Sequence, residues 1–351
     1  MKVSNTGFLA AVPGKVADTR AGAVSAADTF VSSSEEVPPK IKAALEAAGR
    51  PYYDAERDQK DIAAYYENID QASSPAELFT HLNGLVSRTH REKFSFNPEK
   101  YLFPWVDLRP NLRLQSIYSA EPVATNAPVK RTKSKDFIVK MKVPAAGRVA
   151  KDGTVGEARM VNRKIDLRSQ AERWTQALME GPLDALQIAQ KIAAVEGVRY
   201  YNGEHSVAQF FFDGSKVPKG DLHHLFACER DSNCLRGCRP YGDVEKVPAN
   251  RKKDGWGPKE VNRFEPDAGK GAVARATLYF LLRYPGELGD KPDEYTKKDL
   301  EILLRWHRED PPGLYERHRN QAIAEMQGNR NPFIDHPGWA DKIDFTAGFG
   351  P

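Results

Sequence analysis

Apolar residues recur at helical spacing in several stretches of the chain, which predicts a scaffold made largely of helices. In the stretch SSPAELFTHLNGLVSRTH, Ser74 and Glu77 match a capping box and Pro75 occupies the first turn, so a helix is expected to begin here. Its apolar residues then share one face: Leu78, Leu82, Leu85 and Val86. The same spacing recurs in two later groups, Leu278, Leu281 and Leu282, and Leu300, Leu303 and Leu304.

A different pattern surrounds residues 202–226. VRYYNGEHSVAQFFF is rich in aromatic and β-branched residues, which is typical of a strand. GDLHHLF is a second apolar segment, and ACERDSNCLRGCRPYG predicts a short helix that ends at Gly237 or near Pro240. Neighbouring residues of a strand point to opposite faces, so a bend is needed if Glu204 and His205 are to share one site.

Composition sets broad limits on the class of protein. The chain has 351 residues, with 40% hydrophobic and 28% charged residues, which suits a soluble globular protein of one large or two ordinary domains. No apolar run approaches the roughly 20 residues that a membrane helix needs, so no membrane partner is expected. The net charge of +4 permits a polyanionic partner without requiring one.

The chain divides unevenly along its length. Residues 1–50 are rich in Ala, Ser, Thr, Val and Gly and are interpreted as a flexible leader, with a docked terminal strand as the alternative. The stretch MKVSNTGFLAAVPGK holds an apolar run too short for the core of a secretory signal, which leaves localisation open.

A basic patch lies on a predicted hairpin or loop between the two apolar regions. Its members are Lys130, Arg131, Lys133, Lys135, Lys140 and Lys142. A solvated basic loop and a contact with a phosphate backbone are both open interpretations of this patch. The first four residues are our candidates for substrate binding.

The histidines and acidic residues of 202–226 suggest metal chemistry. Glu204 offers a hard oxygen ligand and His224 a nitrogen ligand, and together they could hold one divalent cation with positions left for water and phosphate. His205, with an ordinary pKa of about 6.5, could accept a proton from water near neutral pH. The alternative is that these histidines are half-buried structural residues.

A zinc site is a further alternative at the same place. It would use His223 and His224 with Cys228, Cys234 and Cys238, but the spacing Cys-x5-Cys-x3-Cys lacks the close CxxC pair of a zinc knuckle. An odd number of cysteines argues against a full disulfide framework, and one local disulfide is expected if the protein is exported.

Four stretches together resemble one known family. They are NGEHSVAQ, DLHHLFACERDSNCLRGCRPYG, FEPDAGKGAVARATLYFLLRYP and LLRWHREDPPGLYERHRNQAIAEMQGNRNPFIDHP. In their order and spacing they resemble the bacterial endonuclease I family, within the wider His-Me finger (ββα-metal) nucleases. The resemblance extends over about residues 60–340, which predicts a nuclease domain at 51–345 with a family-atypical insertion at 122–195.

The resemblance implies an α+β fold, with a ββα-metal finger at about 200–240 embedded in a mostly helical scaffold. It implies a Mg²⁺-dependent endonuclease that hydrolyses DNA phosphodiester bonds with little sequence preference and leaves 5′-phosphate ends. Mn²⁺ or Ca²⁺ could replace Mg²⁺, and cleavage of RNA is left open. His205 matches the general base, and Glu204 and His224 match the ligands of the cation.

Further positions match the family less directly. Arg236 is predicted to take part in catalysis at the phosphate, and Asn233, His223 and Arg275 are predicted either to support the cation ligands or to contact phosphate. For Arg275, and for Gln327, Asn329, Arg330 and Asn331 of QGNRNPF, we favour a structural role in which side chains bond the backbone.

Partners and location follow from the same resemblance. The expected partner is nucleic acid, with an inhibitor or immunity protein as an open second partner, and the chain is expected to be a monomer. Many relatives are exported, which favours a secreted or extracellular protein. Two rival functions stay open: a catalytically inactive nucleic-acid-binding protein, and an interaction module structured by zinc at residues 223–238.

Overall fold

The computed structural model describes most of the chain but not all of it. The described residues are 36–69, 74–119, 201–212, 215–244, 263–289 and 294–350, two strands at 138–143 and 159–164, and the single positions 187, 190, 191 and 196. Residues 1–35 of the predicted leader lie outside them, as do the substrate-binding candidates Lys130, Arg131, Lys133 and Lys135.

In the described residues before the insertion, the chain forms four helices: α1 (Pro39–Ala47), α2 (Ala55–Tyr65), α3 (Pro75–Thr89) and α4 (Pro98–Tyr101). At the start of α3, Ser74 Oγ accepts a hydrogen bond from the Glu77 amide at 3.2 Å, as the sequence predicted. The predicted apolar face of α3 is buried: Leu78, Leu82, Leu85 and Val86.

Helix α1 corrects the predicted boundary of the flexible leader. It lies within residues 1–50, yet its Leu45 is only 1% exposed and belongs to a buried cluster with Tyr52 and Phe103. Burial of an apolar side chain favours an ordered helix over a solvated chain. The leader therefore cannot extend through 39–47.

Two strands lie within the described part of the predicted insertion. Strand β1 (Ile138–Val143) pairs antiparallel with β2 (Arg159–Lys164), with Ile138 opposite Lys164 and Val143 opposite Arg159. Lys140 and Lys142 of the basic patch are therefore on a strand of a paired ribbon, in agreement with the predicted hairpin.

The region around the Glu-His pair forms a small unit of its own. Strand β3 (Tyr201–His205) pairs antiparallel with β4 (Leu225–Glu229), and helix α6 (Arg230–Arg236) follows β4 directly. Between the strands lie a short helix α5 (Lys216–Gly220) and a 3-10 turn, Leu222–His224. We call β3, β4 and α6 the ββα unit. Helix α6 ends at Gly237, whose φ of +60° suits glycine, as predicted.

The C-terminal part supplies the helical scaffold. It comprises α7 (Lys270–Arg283), α8 (Asp299–Glu309), α9 (Leu314–Gln327) and α10 (Pro332–Asp335), followed by 3-10 turns at Pro337–Trp339 and Phe345–Gly348. Helix α7 is buried on all sides over nearly its whole length, so it forms the centre of the core. The mixture of helices with small antiparallel sheets agrees with the predicted α+β class.

Side chains of the scaffold hold β4 in place. Arg319 of α9 donates to the carbonyls of Leu222 and Leu225 at 2.9 and 2.7 Å, and it is paired with Asp107. Asp107 in turn accepts a hydrogen bond from the amide of Ala227. These contacts fix the ββα unit on the scaffold. Within the part of the chain that is described, no helix has both the length and the apolar character needed to cross a membrane.

Candidate active site

Glu204 and His205 line one open cleft of about 750 Å³. Its walls come from residues 96–99, from β3 and the turn at 208–210, and from residues 233–238 of α6 and its end. Strand β3 ends at His205, and the chain then bends, with the Ser206 amide donating to the His224 carbonyl at 2.9 Å. Glu204 and His205 thus both belong to the regular strand and both line the cleft, without the bend between them that the sequence had led us to expect.

Gly203 allows one wall of the cleft to pack closely on β3. A Cβ atom at this position would lie 3.0 Å from the Phe96 ring and 3.1 Å from the Pro98 side chain. Any larger residue would push this wall away from the neighbouring Glu204. The glycine of NGEH is therefore explained by a close approach of two chain segments.

Glu204 is almost fully buried, at 3% exposure, and is held by one of its two oxygens. Oε1 accepts hydrogen bonds from Tyr118 Oη and from Arg236 Nη1, both at 2.7 Å. None of the hydrogen bonds found among the described residues reaches Oε2. Burial raises the pKa of Glu204, while Arg236 and Tyr118 oppose that rise.

Arg236 is buried next to Glu204, and its guanidinium donates hydrogen bonds to groups of the protein itself. Besides Glu204, it bonds the carbonyls of His205 at 2.6 Å, Ser206 at 2.7 Å and Arg239 at 2.8 Å. Its exposure is 1%. These contacts are those of a residue that positions Glu204 and the bend, and they do not favour the predicted direct role at the phosphate.

The hydrogen bonds of His205 define its tautomer. Nε2 lies 2.9 Å from the Lys219 carbonyl, which can only accept, so Nε2 carries the hydrogen. Nδ1 therefore presents a lone pair, and Gln209 Nε2 donates to it at 3.2 Å. Burial, and then the nearby His224, hold the pKa of His205 well below its usual value, so the ring is neutral at neutral pH.

His224, the predicted second ligand, is not among the residues that line the cleft. It is fully buried, and its Nε2 lies 2.5 Å from the Pro218 carbonyl. Its Nδ1 is buried without a hydrogen-bond partner among the described residues. Glu204 thus lines the cleft, whereas His224 lies in the interior, with its ring centroid 5.3 Å from that of His205.

Asn233 lines the cleft in its place. It is half-buried on α6, three residues before Arg236, and residues at that spacing share a helix face. The sequence predicts that Asn233 either supports the cation ligands or contacts phosphate, but not that it is itself a ligand. The spacing of Asn233, Arg236 and Gly237 on one predicted helix was the signal that could have placed it beside Glu204.

His223 and Arg275 have structural environments away from the cleft lining. His223 Nε2 lies 3.1 Å from the Asn329 carbonyl, and Arg275 is paired with Glu316 and donates to the Asp310 carbonyl at 2.7 Å. Both are buried. A phosphate contact from Arg275 is not compatible with these contacts, and the structural role favoured for it agrees with them.

The QGNRNPF residues support the turn before β4. Gln327 accepts from the Leu222 amide at 2.7 Å and donates to Asp221 at 3.0 Å, while Asn329 donates to Tyr279 Oη at 2.7 Å. Asp221 also accepts from Tyr279 and from Tyr284, both at 2.8 Å. Side-chain amides thus bond backbone and side chains around this turn, which is the kind of role that we favoured from the sequence.

The cysteines do not form a metal site. Cys228 is buried on β4, Cys234 and Cys238 are exposed at the cleft, and all three are free thiols rather than disulfide-bonded. Among the described residues, which include all three cysteines with His223 and His224, no group of three or more His, Cys, Asp or Glu side chains is placed to hold a metal ion. The zinc alternative therefore gains no support from this region.

Comparison with known families decides the classification. The family model described as Endonuclease I matches residues 158–338, more than half of the 351-residue chain. The chain belongs to the endonuclease I family. The resemblance predicted from the four sequence stretches is thus confirmed, and the match begins inside the segment 122–195 that was predicted to be an insertion.

Three curated relatives illustrate the range of this family. An extracellular ribonuclease of Bacillus subtilis (strain 168) is 40% identical over 162 residues, which is 41% of this chain and 54% of the relative. An extracellular ribonuclease of Bacillus amyloliquefaciens is 37% identical over 162 residues, 41% of this chain and 53% of the relative. A periplasmic deoxyribonuclease of Aeromonas hydrophila is 29% identical over 125 residues, 33% and 48% of the two chains. The chain spans about half the length of the curated relatives it matches.

Proposed function

We propose that this protein is a metal-dependent endonuclease that hydrolyses phosphodiester bonds of DNA and RNA with little sequence preference. The observation that carries the proposal is the placement of the His205 Nδ1 lone pair and the Glu204 carboxylate in one cleft. Membership of the endonuclease I family supports it. Relatives named as ribonucleases and as deoxyribonucleases support action on both kinds of nucleic acid.

The ββα unit is the proposed catalytic core, a His-Me finger. In support, β3 carries Glu204 and His205, and α6, which follows β4, carries Asn233. The antiparallel pairing of β3 and β4 holds the end of β3 in register with the start of β4, with His205 opposite Leu225.

The donors at the cleft suit a hard divalent cation such as Mg²⁺, Mn²⁺ or Ca²⁺. Glu204 offers Oε2, and the side-chain carbonyl of Asn233 is a second oxygen donor lining the same cleft. We therefore propose Asn233, in place of the predicted His224, as the partner of Glu204. The charged residues of the lining are Glu99, Glu204 and the internally paired Arg236, so a phosphate would meet a net negative lining without a cation. When bound, the cation would neutralise charge on the phosphate and on the leaving oxygen.

His205 is the proposed general base. Its Nδ1 takes a proton from the attacking water, and the hydrogen bond from Nε2 to the Lys219 carbonyl keeps the ring oriented and stabilises the charge that it gains. Gln209 donates to the same Nδ1, so its side chain must move away before water can occupy that position. The resemblance implies products with 5′-phosphate ends.

The proposal also covers how the nucleic acid is bound and where the protein acts. The basic residues Lys130, Arg131, Lys133 and Lys135 are proposed to contact the phosphate backbone. Relatives named as extracellular or periplasmic support a secreted protein. We propose that it acts as a monomer, with nucleic acid as its partner.

A digestion assay tests the proposed activity. Supercoiled plasmid and a structured RNA should both be cut in Mg²⁺, cleavage should stop in EDTA, and added Mg²⁺ should restore it. Full activity after exhaustive chelation would contradict the metal-dependent mechanism. Binding without cleavage would favour the inactive binding protein, and tightly held stoichiometric zinc in metal analysis would favour the interaction module.

Calorimetric titration with Mn²⁺ tests the ligands independently of turnover. Asn233→Ala should weaken Mn²⁺ binding by roughly 10- to 100-fold or more, since even supporting groups of metal sites have effects of that size. His224→Ala serves as the matched control and should leave Mn²⁺ affinity unchanged in the folded protein. The reverse pattern would restore His224 as the ligand.

A further inference from the structure

One large apolar side chain is exposed at the cleft. Phe210 is 59% exposed, and among the described residues it is the large hydrophobic residue whose side chain is exposed. Single exposed apolar residues are common on protein surfaces, so exposure by itself carries no meaning. The position of Phe210 is informative, because Phe210 lies five residues after His205 and lines the same cleft.

The turn that carries Phe210 is held in place by the two buried residues that follow it. The next two residues, Phe211 and Phe212, are 3% and 2% exposed, and the Phe211 amide donates to the Ala208 carbonyl at 2.9 Å. The Phe210 ring meets the edge of the Phe211 ring at 5.6 Å between centroids. The buried neighbours thus fix the turn, so that it presents the Phe210 ring outward.

A second aromatic ring of the cleft lies close to His205. The half-buried Phe96 also lines the cleft, and its ring centroid is 5.1 Å from that of His205. The absence of a side chain at Gly203 gives Phe96 this position. The lining of the cleft therefore includes two aromatic rings, those of Phe96 and Phe210.

Four of the polar residues that line the cleft are uncharged amides. Asn97, Asn202, Gln209 and Asn233 line the cleft. The cationic residue among the lining residues, Arg236, has its guanidinium engaged by Glu204 and backbone carbonyls. Aromatic faces with amide donors and acceptors suit a nucleobase, whereas a phosphate chain is bound by free cationic groups.

We propose that Phe210 stacks against an unpaired base next to the scissile phosphate, so that the enzyme binds single-stranded nucleic acid in preference to duplex. A base inside a duplex has both faces covered by its neighbours and must be unstacked before it can meet the ring. An unpaired base offers a free face at little cost. This inference rests on the proposed nuclease function and names the form of nucleic acid that the site takes.

Binding measured in a non-cleaving background tests the stacking. In His205→Ala protein with Mg²⁺, fluorescence anisotropy would compare a single-stranded 12-mer, the matching duplex, and a 12-mer with abasic sites. Phe210→Ala should weaken binding of the normal single strand about 5- to 150-fold, the effect of about 1–3 kcal/mol from one stacked base. It should leave the duplex and the abasic strand nearly unchanged, and Phe210→Trp should restore binding.

Phe349→Ala is the matched control, because it truncates a partly exposed phenylalanine that does not line the cleft. It should leave all three affinities unchanged. Equal weakening of single strand, duplex and abasic strand by Phe210→Ala would overturn the stacking proposal, as would no weakening at all. A different result would separate the two proposals. If the unsubstituted protein cuts no nucleic acid, but Phe210→Ala still selectively weakens binding of the normal single strand, the nuclease proposal fails and the stacking proposal stands.

Discussion

Buried arginine–carboxylate pairs occur both in the ββα unit and in the scaffold, but they leave different groups available. In the scaffold, Arg330 is paired with Asp58 and Asp335, and each carboxylate uses both oxygens: Asp58 also accepts from Tyr53, and Asp335 from Tyr66. In the ββα unit, Glu204 receives Arg236 and Tyr118 on the same oxygen. Both oxygens of each scaffold carboxylate are bonded, whereas no hydrogen bond found among the described residues reaches Oε2 of Glu204 at the cleft.

The histidines show the same contrast. His307 in α8 has Nε2 bonded to the Pro337 carbonyl at 3.0 Å and Nδ1 facing Arg275 at 3.5 Å. His205 has one nitrogen bonded to a backbone carbonyl and the other bonded only to the side chain of Gln209, which can move. His205 and His307 are thus both buried and polar, but a movable side chain bonds the second nitrogen of His205, whereas a paired arginine faces that of His307.

The largest effect should come from removing the proposed base. His205→Ala should lower the rate of cleavage by roughly 10²- to 10⁴-fold, the usual contribution of a positioned general base. Single-turnover kinetics with saturating Mg²⁺ would measure it. Mn²⁺ binding should persist, and His307→Ala should keep the rate per folded molecule. A rate within the range of the unsubstituted protein would remove His205 from the mechanism.

Breaking the scaffold pair should affect stability instead. Arg330→Met leaves two buried carboxylates without their partner, so the free energy of unfolding should fall by about 3–5 kcal/mol. Urea denaturation would measure the loss, and cleavage per folded molecule should be unchanged. Arg305→Ala, which breaks an exposed pair with Asp243, should cost no more than about 1 kcal/mol. Equal losses for the two variants would show that burial of the Arg330 pair has no energetic consequence.

The pH dependence of stability provides a smaller test in the scaffold. Burial and the charge of Arg275 lower the pKa of His307 from 6.5 to about 4. Below pH 6.5, His307 therefore binds a proton in the unfolded chain but stays neutral in the folded chain. The free energy of unfolding is for this reason lost as pH falls from 6.5 towards 4. In His307→Gln, the loss between neutral pH and about pH 5.5 should be smaller by about 1 kcal/mol. Urea denaturation at several pH values would measure it, and parallel curves for the two proteins would contradict the assignment.

The smallest effect should come from the side chain that covers the base. Gln209→Ala frees Nδ1 of His205 from a hydrogen bond worth about 0.5–1.5 kcal/mol, so the rate at saturating substrate should rise by about 2- to 12-fold. Asn202→Ala, another amide of the cleft lining, is the control and should not produce this rise. A fall in rate for Gln209→Ala would indicate that Gln209 orients the attacking water instead of blocking it.

Several elements of this protein follow from its sequence because they depend on interactions between near neighbours in the chain. The cap at Ser74, the apolar face of α3 and the end of α6 at Gly237 are all local, and each was predicted correctly. The motif stretches likewise identified the endonuclease I family. The strand of Glu204 also followed from a local pattern, since aromatic residues favour a strand.

The orientation of the polar side chains at the site depended on partners outside their own strand or turn, some of which are distant in sequence. The sequence presents His205, His223 and His224 as equivalent imidazoles, and the carbonyls of Lys219, Asn329 and Pro218 decide which way each ring faces. In the same way, Tyr118, 86 residues before Glu204, helps to leave one carboxylate oxygen available at the cleft. Sequence alone determined which chemical groups this region contains. Only the tertiary structure decided which of them face the cleft, because a buried polar group turns towards whatever partner the surrounding fold supplies.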